Sequence, residues 1–227
     1  PHLEMYWWHS LHFSLWGRSD VLKRSLDWYK KAYPKAREIA ARQGYKGVRW
    51  MKMTDPWAGE APSKVGSFLI WQQPHFIYLA EELYRANPSP DILNEYYEYV
   101  AATADFMASF AQYDSIADRY ILSGIIPAQE TLPASETINP PFELSYWHYG
   151  LSKALQWNER LGKPVKEEWK AVLDKLSPLA SKDGLYLAAE SAPQSYTELK
   201  FHSDHMAVLG AWGMLPFADG LYDKQTM

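Results

Sequence analysis

Helical hairpins packed side by side are the architecture this sequence predicts, and three observations predict it. Apolar residues recur at three- and four-residue intervals through most of the chain, the rhythm of helices with one buried face. The connections between these periodic segments are modest in length, as antiparallel neighbours require. The 227 residues are 47% hydrophobic and 22% charged, which marks an ordinary globular chain able to bury a substantial core.

In chain order, "HLEMYWWHSLH" sets Glu4, Trp8 and His12 at successive i,i+4 positions of a helix. Ser19 reads as the N-cap of a helix over 21–31, and Pro34 as the first residue of the next, ending at Gly44. Pro74 opens a helix over 75–86. Ile92, Tyr96, Val100, Ala104, Met107 and Phe110 build one stripe along a helix over 90–112. Leu144, Trp147, Leu151 and Leu155 repeat the rhythm over 142–161, where Gly162 and Pro164 supply a stop. Val165, Trp169, Val172 and Leu176 mark a further helix. Segments 47–62, 118–124 and 184–189 break the pattern and read as turns and short hairpin arms. No internal repeat, low-complexity tract or linker divides the chain, so residues 1–227 read as one domain.

The formal net charge is -4 and the basic residues are scattered, so nothing resembles the cationic stripe that nucleic acid or an anionic membrane surface requires. No apolar run approaches the roughly 18 to 20 residues that span a bilayer. The absence of cysteine removes disulfides and thiolate chemistry. The chain opens inside an aromatic segment without an initiator methionine, so it reads as part of a longer protein, with compartment and oligomeric state left open.

The 11 tryptophans and 16 tyrosines fill a core, line a cleft, or both. Flat rings suit the C–H faces of sugars, and side chains that hydrogen-bond between those rings suit hydroxyls, which both donate and accept. Three segments combine the two. The first helix offers Glu4 and Trp8, "RWMKMTDPWAGE" offers Arg49, Trp50, Lys52 and Glu60, and "IWQQPH" offers Trp71, Gln72, Gln73 and His75. Trp147 and His205 complete the expected carbohydrate-binding set. There is no phosphate cradle and no G-x-S-x-G elbow. Neither His9 with His12 nor His202, Asp204 and His205 forms an H-E-x-x-H pattern, so neither a metal nor any other cofactor is expected.

Pro127, Pro133, Pro140 and Pro141 shape a loop that contains Glu130 and Glu136. A glutamic acid partly desolvated among aromatic rings stays protonated near neutral pH and can act as a general acid, and Glu130 is the candidate. Glu136 reads as more exposed, and Glu143 as facing solvent or capping the next helix.

The order of these motifs resembles the catalytic domain of six-hairpin, (α/α)₆-barrel glycosidases, in particular the group that includes maltose and kojibiose phosphorylases and the glucosidase of glucosylgalactosyl-hydroxylysine. "PHLEMYWW" approximates their Trp-Asp-Thr-Glu-like motif at Glu4, and "GVRWMKMTDPWAGE" their Gly-Ala-Arg-aromatic loop with its later Gly-x-Glu. "IIPAQE" and "TINP" stand where the group has its general acid and a following Asn, giving Glu130 and Asn139. "FHSDHMAVLGAWGMLP" occupies the place of a Lys-Gln-Ala-Asp segment and its apolar helix. That segment is altered here, which argues against a phosphate site. Inverting α-L-fucosidases, whose acid segment is Pro-Ser-x-x-Pro-Glu, match Glu130 comparably.

The resemblance implies an all-α (α/α)₆ barrel, incomplete here because the periodicity supplies only about eight helices. It implies an inverting exo-acting glycoside hydrolase with Glu130 as general acid. The base would be a second carboxylate, either following Met227 or, within the chain, Glu60, Glu4 or Asp204. The alternatives are a non-catalytic carbohydrate-binding protein, or a lyase or isomerase using Tyr146, His148 and His205.

Overall fold

The structure, a computed structural model, describes residues 1–202, 207–216, 218, 220–223, 225 and 226, with residue 212 described by its backbone only. Its frame is helical. Helices α1 (Leu3–Ser10), α2 (His12–Leu15), α3 (Ser19–Ser25) and α4 (Asp27–Arg42) precede a long loop. Helices α5 (His75–Ala86) and α6 (Pro90–Phe110) follow, then the hairpin β1 (Gln112–Asp114) and β2 (Arg119–Ile121). After the proline-rich loop come α7 (Pro141–Arg160), α8 (Glu167–Asp174), the hairpin β3 (Ser181–Lys182) and β4 (Leu185–Tyr186), and α9 (Val208–Gly213).

The long helices form where caps and stripes coincide. Ser89 caps α6 by accepting the Ile92 N–H, and Pro90 fills the first helical position, where no N–H is needed. The connection from α5 to α6 is short, so the two pack as a hairpin; α6 packs in turn on α7, and α7 on α8 and α9. Within this stack Trp50, Trp147, Trp157 and Trp169 are buried. Each of their indole N–H groups has a partner: Thr103 Oγ1 at 2.9 Å, the Met107 carbonyl at 2.9 Å, Glu81 at 2.7 Å and Asp105 at 2.9 Å respectively. A buried indole satisfied in this way is fixed as well as apolar.

The fold departs from the sequence expectation at the second hairpin. Ser19 is the first residue of α3 rather than its cap, the break falls at Leu26, and α4 runs straight through Pro34. Pro34 is exposed on α4, and its missing N–H costs the helix one internal hydrogen bond. The buried stripe Tyr29, Ala32, Ala36, Ile39 and Ala40 passes on the other side and outweighs the lost bond. The loop after α4 is held close to α6 at Gly47, whose φ is +68°; a Cβ there would sit 1.9 Å from the Ala102 carbonyl oxygen. That close approach lets the Val48 N–H reach the same carbonyl at 3.1 Å.

The result is an incomplete all-α helical-hairpin barrel with short β-hairpins in its loops. Among the described residues no helix is long and apolar enough to cross a membrane.

Candidate functional site

The first turn of α1 is built on the loop that follows α4. Leu3 N–H donates to the Lys52 carbonyl at 2.8 Å, Thr54 N–H donates to the Pro1 carbonyl at 3.0 Å, and His2 pairs with Met53 as an antiparallel bridge. This splice brings Glu4 to the Lys52 side chain. The segment carrying Glu130 is aligned separately, by a parallel bridge between Leu69 and Ile126 and by Ile126 N–H donating to the Phe68 carbonyl at 3.1 Å. The two alignments meet at one ammonium group: Lys52 Nζ lies 2.6 Å from Glu130 Oε1 and 3.0 Å from Glu4 Oε2.

Lys52 is nearly enclosed, its side chain 9% exposed, and its ammonium stands 5.5 Å from the centre of the Trp71 ring. Burial alone would lower the pKa of Lys52, but the contacts with Glu130 and Glu4 outweigh it and leave the group above its ordinary value. Beside this cluster opens a cavity of about 370 Å³, within the range of small-molecule sites. Its walls are Glu4, Trp8, Trp71, Ala128 and Phe142 together with Ala207, Leu209, Gly210 and Met214 from the α9 region.

Of the residues predicted from sequence, Glu4, Trp8 and Trp71 therefore line the cavity, and Lys52 and Glu130 join it through Glu4. Trp8 is half exposed and offers a ring face. Glu130 does not lie desolvated among rings as expected. Its side chain is 36% exposed and its carboxylate meets Lys52, because the proline loop carries it at the surface.

Most of the remaining candidates build the frame instead. Arg49 is buried and donates to the carbonyls of Ser67 and Leu69. Burial lowers it to about 10, still protonated at neutral pH. Gln73 receives the Trp50 N–H at 2.9 Å and donates to the Val48 carbonyl at 2.6 Å, while Gln72 donates to the carbonyls of Trp50 and Leu69. Trp50 and Trp147 are core rings. Buried Asn139, at φ +52°, accepts the Leu122 N–H and donates to Glu190, which Arg119 grips through two bonds. These amide and guanidinium groups were expected to face hydroxyls; apart from the Asn139 bond to Glu190 they face backbone, because a loop buried under helices must find partners for its own N–H and C=O groups.

Glu60 pairs with Arg42 and does not line the cavity. His12 packs against Phe13 and Trp16 and does not line the cavity. His75 and Tyr146 form a buried pair, Nδ1 to OH 2.8 Å, with the His75 ring stacked on Trp7; burial lowers the imidazole to about 3 and keeps it neutral. His205 and Asp204 lie outside the described residues. Among the described residues no group of three or more His, Asp or Glu is placed to hold a metal.

Two features escaped the sequence reading. The α9 wall of the cavity carries small and apolar residues whose letters look like core. Glu143, expected to face solvent or to cap the helix, is fully buried, and its Oε1 accepts the Ala128 N–H at 2.6 Å. Burial raises its carboxyl to about 8 against the opposing pull of backbone hydrogen bonds. Its position in the first turn of α7, between Pro140, Pro141 and Phe142 on one side and Leu144, Tyr146 and Trp147 on the other, was the available signal.

No protein-family model matches the chain, and no curated protein matches it. Among solved structures, one described as "Putative kojibiose phosphorylase from human microbiome" matches with a TM-score of 0.60 at 14% identity, over 70% of this chain. The chain spans 26% of that protein's length. At this identity the likeness shows the fold alone, a helical-hairpin architecture shared with a protein so described.

Proposed function

We propose that the protein is a carbohydrate-active enzyme that cleaves a glycosidic bond, with Glu130 as general acid and Glu4, Trp8, Lys52 and Trp71 as the substrate-binding set. The observation that carries this reading is the Lys52 ammonium shared by two carboxylates beside a cavity with indole walls. A sugar ring stacks on Trp8 with Trp71 at the cavity wall, its hydroxyls donate to Glu4 and accept from Lys52, and the glycosidic oxygen faces Glu130. For bond cleavage Glu130 must leave the Lys52 pair and take up a proton as substrate binds; that proton passes to the leaving oxygen, while water attacks the anomeric carbon and gives its own proton to a base.

That base is not Glu4 in an inverting reaction. One ammonium touches both Glu4 and Glu130, so their nearest oxygens are closer than the roughly 6.5–9.5 Å that leaves room for the attacking water. Glu60 is paired with Arg42 and is no better placed. The base is therefore assigned to another carboxylate facing the opposite side of the sugar.

The Lys52 bridge also lends support to a non-catalytic carbohydrate-binding protein, because an ion-paired carboxylate accepts hydrogen bonds rather than donating a proton. The lyase or isomerase reading has less support: of its residues Tyr146 is wholly enclosed, His148 lines a different cavity from Glu4 and Trp71, and His205 lies outside the described residues. Assaying the whole protein on a panel of aryl glycosides and disaccharides separates the first two. Turnover is expected, and Glu130→Gln is expected to lower it by roughly 100-fold or more while leaving sugar binding intact. Near-normal turnover by that variant removes Glu130 from the acid role.

A further inference from the structure

Glu143 stands in the first turn of α7 with its side chain wholly enclosed. Enclosing a carboxyl is costly, and a local rule broken in this way marks a position maintained for a site. Its Oε1 takes one hydrogen bond from the loop, the Ala128 N–H at 2.6 Å, and its Oε2 has no hydrogen-bond partner among the described residues. Ala128 lines the cavity and lies two residues before Glu130.

The other ties of this segment lie on either side. Ile126 N–H donates to the Phe68 carbonyl at 3.1 Å, and the Gln129 side chain donates to the Phe201 carbonyl at 2.8 Å. Pro127 has no N–H to contribute. The Ala128 N–H thus links the acid segment to α7.

We propose that Glu143 is a positioning residue: through the Ala128 N–H it fixes residues 127–130 against α7 and thereby sets where the Glu130 carboxyl stands relative to Lys52, Glu4 and the cavity. The proposal rests on Glu130 being the acid. Its chemistry requires an acceptor at position 143, not a charge, and the raised carboxyl pKa of about 8 agrees with a group held neutral at pH 7.

A pair of near-isosteric variants tests it in the whole protein. Glu143→Gln keeps an amide oxygen for the Ala128 N–H and is expected to retain kcat within about threefold. Glu143→Met has no such acceptor and is expected to lower kcat roughly 10- to 100-fold with KM little changed, as for an acid displaced by a fraction of an ångström to an ångström. Hydrogen exchange of the Ala128 amide reads the tether independently of activity, protected in wild type and the Gln variant and faster in the Met variant. Equal kcat loss in both variants overturns the proposal, and so does a Met variant with normal kcat and a protected Ala128 amide. Should Glu143→Met fail to fold, Ala128→Pro removes the same N–H from the loop side, and unchanged kcat there is equally fatal. Full activity of Glu130→Gln would sink the acid assignment and leave the exchange result standing, so the two failures are distinguishable.

Discussion

Lys52 carries more of the candidate site than any other single side chain. One enclosed ammonium pairs with Glu4 from α1 and Glu130 from the proline loop, and its removal leaves the two carboxyl groups facing each other without it. Lys52→Met is therefore expected to lower stability by about 1–2 kcal/mol, less than for a fully buried pair because both carboxylates reach solvent. Urea unfolding measures this loss, and a Lys52→Met/Glu4→Gln double variant should recover part of it by removing the repulsion. No change in the single variant would mean that the bridge contributes nothing to the fold. Glu4 and Lys52 were legible as candidates in the sequence, because carboxylate and ammonium groups set among Trp letters are unusual in a plain core. Their partnership was not legible, since it depends on the Pro1–Leu3 backbone lying along residues 52–54.

At the scale of elements, α5 and α7 are clamped by Glu81. This carboxylate is 2% exposed and accepts from Arg160 at 2.6 and 3.0 Å and from the Trp157 indole at 2.7 Å, with Lys153 at 3.7 Å. Burial alone would raise Glu81, but Arg160, Trp157 and Lys153 together hold it below its ordinary value. Arg160→Met strands a buried carboxylate and is expected to cost about 3 kcal/mol in denaturant unfolding. Adding Glu81→Gln should restore much of that, and a failure to restore it would show that Arg160 acts through packing alone. The helices themselves were readable from periodicity and caps, as at Ser89 and Pro90. The start of α4 was misread because a proline letter does not say which side of a helix it occupies, and Pro34 occupies the solvent side.

Over the whole molecule, two buried groups titrate in opposite directions and set the pH of greatest stability. Unfolded Glu143 loses its proton near 4.5 and the folded residue near 8, so between these values the folded state holds the extra proton and rising pH favours unfolding. His75 is lowered by burial from 6.5 to about 3, so stability is lost as pH falls below 6.5, and His148 is lowered in the same direction. From 4.5 to 6.5 the Glu143 and His75 effects nearly cancel. Above 6.5 Glu143 acts alone, and stability falls by about 1.4 kcal/mol per pH unit until 8.

Below 4.5 the depressed carboxyls add their own loss. Burial raises Glu81 and Glu95, but Arg160 for the first and Lys23 and Lys30 for the second outweigh it, and Arg119 lowers Glu190 directly. Thermal unfolding across pH should therefore peak near 6.5, and Glu143→Gln should flatten the side above the peak. A wild-type profile that is flat between 6.5 and 8 would contradict the burial of a titrating Glu143.

The sequence by itself determined the helical class, most helix positions and the presence of a polar, aromatic set around Glu4, Lys52, Trp71 and Glu130. These are consequences of local chemistry: a period of 3.6 residues, proline and serine at helix starts, and unusual residue types near one another in the chain. Only the tertiary structure decided which polar side chains face a cavity and which face backbone. Arg49, Gln73 and Asn139 turned inward because loops packed under helices left carbonyl and amide groups that no other neighbour could satisfy. Glu143 was enclosed because α7 brought its first turn against Ala128. Burial and partnership depend on contacts between residues far apart in the chain, and those distances are set by packing.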